Sequence, residues 1–220
     1  LLQVSTDEVY GSLENKFEHF SENMRLSPTS PYAASKASAD LMVLAAFKSH
    51  NQDVIITRSS NNYGPFQHPE KLIPLMITNA LQYRELPIYG TGINIRDWIH
   101  VDDHCNGILS ALEKGTRGNV YNLGGNNELT NITIVKMILS ILDRPISLIQ
   151  YVKDRPGHDL RYSINSSKAQ LQLQWNPQKT FTSGLEETVG WYKKNRKWWE
   201  NIKDKEFETY YKNQYESKLR

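Results

Sequence analysis

Tyr32 and Lys36 form a pair whose residue types and spacing suit proton transfer. Residues four apart lie on one face of an α-helix, so the Lys36 ammonium can approach the Tyr32 phenol. A tyrosine titrates near pH ~10 and is a poor base at neutral pH, but a neighbouring cation stabilises its phenolate. The pair therefore predicts Tyr32 as a proton acceptor, although a surface pair without function can have the same spacing.

Asp7 and Glu8 are adjacent carboxylates at the end of an apolar pattern that predicts a strand. Ligands of parallel sheets bind beyond the carboxyl ends of the strands, which is where these two acids are expected. In different surroundings, one carboxyl group can stay protonated as an acid while the other, ionised, acts as a base. The alternative interpretation is a solvated turn in which Thr6 and an acid cap the next element.

The segments that must position these residues alternate between strand and helix patterns. Apolar β-type runs predict strands over residues 1–8, 54–59, 87–89, 95–101 and 120–123. Helical spacing predicts helices from about residue 32, over about 71–84, 103–114 and 132–142, and near the C-terminus from about residue 191. This alternation predicts an α/β fold with a parallel sheet that buries the short apolar strands beginning near residues 1, 54 and 120.

The helix that carries Tyr32 is the element that would hold the proton acceptor in place. Residues 27–31 are rich in Ser and Pro and predict an extended entry to this helix. Its apolar residues at helical spacing include Leu41, Leu44, Ala45 and Phe47. The proton acceptor is therefore expected on a rigid element.

The composition excludes several classes of protein. With 26 basic and 24 acidic residues among 220, the net charge of +2 is too balanced to indicate a nucleic-acid or membrane partner. Mean hydropathy is -0.59 and no apolar run reaches membrane length, so no spanning helix is expected. Cys105 is the only cysteine, which excludes an internal disulfide and suits a cytoplasmic protein. We expect this residue to be buried as a small apolar side chain.

His100 and His104 have a spacing that can serve a metal ion, because histidines four apart on a helix can share one. However, Asp102 or Asp103 is expected to be the N-cap of the following helix, so the two histidines need not lie on one helix. We therefore expect no metal site. Residues 124–127 are expected to form a turn after a strand, because they lack the Lys and the helix signature of a phosphate loop.

Ordered motifs along nearly the whole chain resemble a single enzyme family. In chain order they are Ser5-Thr6-Asp7-Glu8-Val9-Tyr10-Gly11, Tyr32-x-x-x-Lys36, Thr57-Arg58-Ser59-Ser60-Asn61-Asn62-Tyr63-Gly64-Pro65, Glu70-Lys71-Leu72-Ile73-Pro74, Leu86-Pro87-Ile88-Tyr89-Gly90, Ile95-Arg96-Asp97-Trp98, Gly124-Gly125-Asn126-Asn127-Glu128 and Asp154-Arg155-Pro156-Gly157-His158-Asp159. With these motifs the sequence resembles dTDP-glucose 4,6-dehydratase, a family of the extended short-chain dehydrogenase/reductase group, up to about Trp199.

The resemblance implies an NAD-binding Rossmann-like parallel sheet with a smaller, interleaved substrate domain. Residues 1–64 and 98–123 would belong to the dinucleotide-binding domain, residues 65–97 and 124–199 to the nucleotide-sugar-binding domain, and residues 200–220 to a C-terminal tail. The family's Gly-rich turn, which holds the cofactor pyrophosphate at a helix N-terminus, is absent from these residues. We therefore expect that the chain lacks the N-terminal half of the dinucleotide-binding domain.

The chemistry that the resemblance implies is the dehydration of dTDP-glucose to dTDP-4-keto-6-deoxyglucose, with NAD as an internal oxidant, in deoxysugar (rhamnose-type) biosynthesis. Tyr32 would accept the proton of the C4 hydroxyl during oxidation, Glu8 would remove the C5 proton, and Asp7 would protonate the departing C6 hydroxyl. Hydride would then return to C6. Lys36 would also bind the nicotinamide ribose, and Thr6 would position the sugar.

The resemblance also implies a set of binding residues. Tyr32, Lys36 and Asn62 would bind the cofactor. The substrate would be bound by Thr6, Asn61, Lys71, Leu72, Pro87, Ile88, Tyr89, Arg96, Asn131, Arg155 and His158. Among these, the two arginines and the histidine would supply charge-assisted hydrogen bonds to a diphosphate. Taken singly, each of these residues could equally form a surface salt bridge or a core contact.

Two other functions are compatible with the pattern. A 4-epimerase or a UDP-glucuronate decarboxylase of the same group would share Tyr32, Lys36 and oxidation at C4. Neither eliminates water, so Asp7 and Glu8 distinguish a dehydratase from them. The second alternative is a non-catalytic, dimerising fragment, because the resemblance implies that the helix of Tyr32 pairs with its copy in a homodimeric four-helix bundle.

Overall fold

The computed structural model of the protein describes residues 1–154 and 159–215. The strands in this part of the chain are β1 (Leu2–Thr6), β2 (Ile55–Ser59), β3 (Asn61–Tyr63), β4 (Leu86–Tyr89), β5 (Ile95–His100), β6 (Val120–Leu123), β7 (Glu128–Thr130) and β8 (Ile149–Val152). The α-helices are α1 (Pro31–His50), α2 (Leu72–Leu81), α3 (Val101–Lys114), α4 (Asn131–Ile141), α5 (Ser167–Leu173), α6 (Phe181–Lys194), α7 (Arg196–Ile202) and α8 (Lys205–Tyr215). Short 3-10 helices cover Asp7–Tyr10 and Ile146–Leu148.

The expected parallel sheet is confirmed, with the strand order β1-β2-β6. Thr57 of β2 pairs with Val4 of β1 on one side and with Tyr121 of β6 on the other, in parallel register. Every residue of β2 is buried, as expected for the central strand of a covered parallel sheet. A second sheet has the order β3-β5-β7, and β4 pairs with β8 in parallel.

The strand β1 ends earlier than its apolar pattern predicts, because the chain turns into a 3-10 helix after Thr6. The Thr6 hydroxyl accepts a hydrogen bond from the Glu8 amide at 3.3 Å and caps this short helix. The alternative interpretation is thus correct in one respect, because the Thr6 hydroxyl caps the next element. The turn is not solvated, however, since Asp7 is buried.

The helix α1 begins where the sequence predicts. The Ser30 hydroxyl accepts a hydrogen bond from the Ala33 amide at 3.1 Å, and Pro31 occupies the first turn, where its missing N–H costs nothing. The residues that this helix buries are Ala33, Ala37 and Asp40. The apolar side chains of Leu41 and Met42 are exposed instead. Small residues on the inner face let the helix lie close to the sheet.

Two details of α3 correct the sequence analysis. The N-cap is His100, whose Nδ1 accepts a hydrogen bond from the Asp102 amide at 3.2 Å, rather than Asp102 or Asp103. The carboxylate of Asp103 instead accepts hydrogen bonds from backbone amides near the start of α6. Cys105 is exposed, whereas the sequence analysis expects it to be buried. The buried residues of this helix include Asp103, His104 and Ala111 instead.

The chain divides into two compact units. Unit 1 comprises Leu1–Asn62, Ile95–Glu128 and Asp159–Phe181. Unit 2 comprises Tyr63–Asn94 and the described parts of Leu129–His158 and Thr182–Arg220. The sheet β1-β2-β6 and the helices α1, α3 and α5 therefore belong to unit 1. The assignment of a cofactor to one unit and a nucleotide sugar to the other stays a prediction.

The segment Asp159–Phe181 lies in unit 1, whereas the sequence analysis placed it with the nucleotide-sugar-binding residues. Backbone hydrogen bonds explain the difference. The Phe20 amide donates to the Ser163 carbonyl at 2.8 Å, and the Leu13 amide donates to the Arg161 carbonyl at 3.1 Å. These bonds join the segment to the loop that follows β1, so no periodicity within the segment could predict its position.

The C-terminal residues of unit 2 form part of its core. Trp199 and Phe207 are buried, and Arg84 forms a two-pronged ion pair with Glu208 at 2.7 and 3.1 Å. The Lys203 ammonium donates to the Asn79 side chain at 2.9 Å. These contacts attach α7 and α8 to α2, so the expected tail is a packed pair of helices up to residue 215.

Among the described residues, no helix combines the length and the apolar character that crossing a membrane requires.

Gly11 ends the 3-10 helix in a backbone conformation that favours glycine, and its replacement tests how tightly this turn is held. Its φ is +94°, and a Cβ atom would lie 2.6 Å from the Ser27 carbonyl oxygen. We expect Gly11→Ala to lower the free energy of unfolding by ~1–3 kcal/mol, measured by urea denaturation.

Gly190→Ala is the matched control, because this glycine lies inside α6 and a Cβ atom there would meet nothing within 4 Å. We expect it to raise the free energy of unfolding by ~0.5–1 kcal/mol. A loss of the same size in both variants would contradict the strain assigned to Gly11.

Candidate active site

Asp7 is a buried carboxylic acid at the carboxyl end of β1, with a side chain only 2% exposed. Its Oδ1 lies 3.4 Å from the Thr6 hydroxyl, and its Oδ2 has no hydrogen-bond partner in the part of the chain that the structure describes. Burial raises the pKa of Asp7 to about 8, with further increases from Glu8 and Asp97 that outweigh the effect of Arg96. Asp7 therefore keeps its proton at neutral pH.

Glu8 follows directly in the same 3-10 helix but is only partly buried. The two neighbouring carboxyl groups therefore have different environments. Greater access to water favours the ionised form of a carboxyl group. The sequence analysis expects one of these two carboxyl groups to act as an acid and the other as a base, and this assignment stays a prediction. The negative charge of Glu8 also contributes to the raised pKa of Tyr162, which places that phenol near the acidic pair.

The helix α1 brings the tyrosine and lysine to the same end of the sheet. The Lys36 ammonium donates to the Val4 carbonyl of β1 at 2.7 Å, two residues before the cap at Thr6. Tyr32 lies one helical turn earlier and is 55% exposed. The helix also contacts the acidic 3-10 helix directly. The two sequence motifs, separate in the chain, thus belong to one region of unit 1.

Arg96 is held in a fixed orientation beside this region. Its guanidinium lies 4.2 Å from the ring centroid of Tyr162 and donates to the carbonyls of Ile95 at 2.7 Å and Asp159 at 2.9 Å. The Tyr162 hydroxyl donates a short hydrogen bond to the Asp159 carboxylate, which also accepts one from Thr29 at 2.7 Å. Burial and Asp159 both raise the pKa of Tyr162, so this phenol is neutral.

Asp159, Tyr162 and Asp97 are residues of this region that the sequence analysis did not assign to the site. Asp97 is buried and accepts hydrogen bonds from the amides of Gly125 at 3.0 Å and Asn127 at 2.6 Å. Burial raises its pKa. All three residues lie in or next to motifs that carry the family resemblance, which is the signal that could have identified them.

Asn61 and Asn62 differ in the hydrogen bonds that their side chains form. The Asn62 amide donates to the Ser60 carbonyl at 3.1 Å, and its oxygen lies 2.8 Å from Nδ1 of His104. Burial lowers the pKa of His104 to about 4, so Nδ1 of a neutral ring donates this bond. Asn61 has a buried side-chain oxygen without a hydrogen-bond partner among the described residues.

The predicted nucleotide-binding residues lie on three elements of unit 2. Lys71 is the N-cap of α2, forms an ion pair with Glu70 at 3.2 Å, and precedes Leu72. Pro87, Ile88 and Tyr89 lie on β4, and Asn131 begins α4. A side-chain oxygen of Asn131 is buried without a hydrogen-bond partner in the described chain.

Unit 2 also contains a cavity of about 300 Å³ beside β4. It is lined by Tyr83, Arg84, Glu85, Pro87, Gln150, Val152, Tyr211 and Tyr215. Of the predicted substrate-binding residues that the structure describes, only Pro87 lines this cavity. Arg155 and His158, the two remaining predicted diphosphate ligands, lie outside the described residues.

Comparison with known proteins gives the class of this chain. A family model described as GDP-mannose 4,6 dehydratase matches residues 1–188. A dTDP-glucose 4,6-dehydratase of Actinoplanes sp. is 50% identical over 198 residues, covering 90% of this chain and 61% of the relative. A dTDP-glucose 4,6-dehydratase of Escherichia coli is 46% identical over 220 residues, covering 91% and 61%. The chain thus spans about 61% of the length of these curated relatives.

Solved structures agree with this result. The dTDP-glucose 4,6-dehydratase of Bacillus anthracis in complex with NAD has a TM-score of 0.89 and 54% identity, covering 92% of this chain and 64% of that one. A UDP-glucuronic acid 4-epimerase of Bacillus cereus has a TM-score of 0.83 and 30% identity, covering 88% and 61%. The fold is therefore the Rossmann-like α/β type of these nucleotide-sugar enzymes. Within that class, the chain belongs to the GDP-mannose 4,6 dehydratase family.

The buried acid at position 7 predicts a dependence of stability on pH. In the unfolded chain Asp7 has its ordinary pKa of 3.8, whereas burial raises its pKa to about 8 in the folded chain. The folded protein therefore loses stability as the pH rises through this window. Asp7→Asn cannot ionise, so its free energy of unfolding relative to the parent should increase from pH ~4 and gain on the order of 5 kcal/mol by pH ~8, measured by urea denaturation.

Glu14→Gln is the matched control, since this carboxylate is exposed. Its free energy of unfolding should stay within ~0.5 kcal/mol of the parent at every pH. A constant difference between Asp7→Asn and the parent across the same pH range would show that Asp7 is ionised at neutral pH.

Proposed function

We propose that the protein to which this chain belongs converts dTDP-glucose to dTDP-4-keto-6-deoxyglucose by dehydration, in deoxysugar (rhamnose-type) biosynthesis. The observation that carries the proposal is the pairing of a buried, protonated Asp7 with a more exposed Glu8 beside the helix of Tyr32 and Lys36. An elimination needs an acid and a base at adjacent carbon atoms, and this turn supplies both. The names of the relatives from Actinoplanes and Escherichia coli support the same substrate.

NAD is the cofactor that we propose for this reaction, and it would act as a transient hydride acceptor from C4. Tyr32, Lys36 and Asn62 would hold it. The donor chemistry fits, because the ammonium and the phenol can both donate hydrogen bonds to ribose hydroxyl groups. The NAD complex of the Bacillus anthracis relative supports this choice.

The residues of this chain would move three protons. Tyr32 would accept the proton of the C4 hydroxyl, with the Lys36 ammonium stabilising the phenolate before this step. The resulting 4-ketone acidifies the C5 hydrogen, which Glu8 would remove. Asp7, neutral below pH ~8, would donate its proton to the C6 hydroxyl so that water leaves. With the hydride taken from C4 returned to C6, Glu8 would give its proton back to C5, and Thr6 would position the sugar.

The nucleotide and diphosphate would be bound by the residues that the family resemblance implies. Arg96 is the diphosphate ligand whose orientation is best defined, because Tyr162 and two backbone carbonyls hold its guanidinium. The fixed fork of an arginine suits two phosphate oxygens. Asn61 would contact the substrate phosphate through its side-chain amide. Lys71, Leu72, Pro87, Ile88, Tyr89 and Asn131 would line the nucleotide pocket, with Arg155 and His158 as further diphosphate ligands.

A dehydratase fits these residues better than a 4-epimerase does. The similarity to the Bacillus cereus epimerase extends over the same fold, so the fold does not distinguish the two activities. An epimerase needs the tyrosine and lysine but has no leaving water to protonate. In an epimerase, the buried Asp7 would have no role in the reaction, although burial raises its pKa from 3.8 to about 8.

Substitution of the two proposed bases in the full-length protein tests the function. Glu8→Gln should retain sugar-dependent formation of NADH but lower the yield of the 4-keto-6-deoxy product by at least ~100-fold, because the C5 proton has no acceptor. Tyr32→Phe should lower both by a similar factor. Absorbance at the NADH band and mass spectrometry of the sugar product measure the two steps.

Undiminished product formation by Glu8→Gln would show that Glu8 is not the base. If the parent protein instead released an epimerised sugar that had not lost water, this result would favour the 4-epimerase.

We also propose that the protein is a cytoplasmic homodimer that pairs through α1. The side chains of Leu41 (58% exposed) and Met42 (74% exposed) support this, since they are large apolar groups that α1 leaves open to solvent. Pairing of α1 with its copy, together with a second helix from each subunit, would bury these side chains in a four-helix bundle. The single cysteine suits a reducing compartment.

Met42→Lys should convert the dimer to a monomer or weaken its association by at least ~10-fold, because a buried unpaired ammonium would face its own copy. Leu171→Lys is the matched control, since Leu171 is 82% exposed on α5 and lies on another helix. Sedimentation equilibrium measures both. A monomeric parent, or a dimer that only Leu171→Lys disrupts, would contradict the proposed interface.

A further inference from the structure

We propose that Tyr10, Arg58 and Asp40 are positioning residues that hold the acid–base turn against the helix of the proton acceptor. Their catalytic meaning rests on the proposed function, but their geometry does not. The three side chains lie on three different elements of unit 1, which are the 3-10 helix Asp7–Tyr10, the strand β2 and the helix α1. None of them touches the substrate in the proposed mechanism.

Arg58 is the centre of this buried network. Its Nε donates to the Asp40 carboxylate at 2.8 Å, and its Nη1 donates to the Tyr10 hydroxyl at 2.9 Å. The guanidinium carbon also lies 4.9 Å from the centroid of the Tyr10 ring. All three residues are less than 5% exposed, at 3% for Arg58, 0% for Asp40 and 4% for Tyr10. Water therefore does not compete for these bonds.

The network continues to β6 and to the loop after the 3-10 helix. The Tyr10 hydroxyl donates to Oδ1 of Asn122 at 2.8 Å, and Nδ2 of Asn122 donates to the Phe20 carbonyl at 3.1 Å. Arginine can only donate, so the Tyr10 hydroxyl accepts from Arg58 and must direct its one proton to Asn122. Burial raises the pKa of Tyr10 to about 12, so this proton is present throughout the physiological range. Each of these hydrogen bonds therefore has a single direction.

The ends of this network lie on the two elements that carry the proposed acid–base residues. Tyr10 is the last residue of the 3-10 helix that begins with Asp7 and Glu8. Asp40 lies two helical turns after Tyr32 and one turn after Lys36, on the same face of α1. That face is attached to β1 by the Lys36 bond to Val4 and to β2 by the Asp40 bond to Arg58.

A role in stability alone does not explain an ion pair at this place. Taking both charges out of water is costly, and apolar side chains of similar size are often at least as stabilising in a protein core. Apolar packing is already present here, because the core cluster around Tyr10 includes Val9, Leu13, Phe20 and Ala37. Directional bonds add what apolar contacts lack, which is one defined position of the turn relative to the helix. A displacement of about 1 Å in such a turn can lower a rate by ~100-fold.

Tyr10→Phe in the full-length protein removes one hydroxyl and tests the proposal. We expect faster amide hydrogen exchange in the peptide of residues 6–11, measured by mass spectrometry without ligand. In catalysis, kcat for the 4-keto-6-deoxy product should fall by at least ~10-fold with KM within ~2-fold. Sugar-dependent NADH formation should fall much less, because the helix of Tyr32 keeps its Lys36 attachment to β1.

Tyr121→Phe is the matched control. Tyr121 is equally buried in unit 1, and its hydroxyl accepts from the Thr116 amide at 2.9 Å and donates to Gln172 at 3.2 Å, away from the acidic turn. This variant also loses a buried hydroxyl, but exchange in residues 6–11 and the ratio of the two catalytic steps should stay at the parent values.

Three outcomes decide between the interpretations. Unchanged exchange in residues 6–11 of Tyr10→Phe, or equal effects of Tyr10→Phe and Tyr121→Phe on both catalytic steps, would overturn the positioning role. Increased exchange in Tyr10→Phe alone, with a selective loss of product formation, would support it. A parent protein that does not dehydrate dTDP-glucose would refute the proposed function, while the exchange comparison would still test the attachment of the turn.

Discussion

The burial of one carboxyl group at the end of β1 is the constraint on which the acidic turn depends. Thr6 starts a 3-10 helix instead of extending the strand, and this change of direction carries Asp7 into the protein while leaving Glu8 closer to water. The neighbours Glu8 and Asp97 make ionisation of Asp7 still less favourable. Burial and these neighbouring charges therefore keep Asp7 protonated at neutral pH, whereas Glu8 lies closer to water.

The rest of unit 1 can be understood as support for this turn. Lys36 attaches α1 to β1, Arg58 joins α1 to the 3-10 helix through Asp40 and Tyr10, and Tyr162 stacks on Arg96. Each contact joins elements that are far apart in the chain. Several buried polar groups, among them Arg58 and Asp40, thus support the acidic turn, whereas Ile55 and Ile56 of β2 belong to the apolar core.

The fold of this protein and the reaction that we propose for it depend on different residues. The α/β fold is common to a dehydratase at 54% identity and an epimerase at 30% identity. In the proposed mechanism, the two activities would differ in the use of the acidic side chains at the end of β1, so the proposed dehydration depends on the site and not on the fold.

The sequence by itself determined the strands β1, β2, β4, β5 and β6, the helices α1 to α4, the parallel sheet, and the motifs of the acidic pair and of Tyr32 and Lys36, because these follow from local periodicity and spacing. The strands β3, β7 and β8 and the helix α5 were not predicted. Only the tertiary structure decided that Asp7 is buried, that residues 159–181 belong to unit 1, that His100 caps α3 and that Cys105 is exposed. Burial and the pKa shifts that it causes depend on which distant residues meet in space. Local patterns carry no information on such contacts, so the electrostatics of the site could not be derived from them.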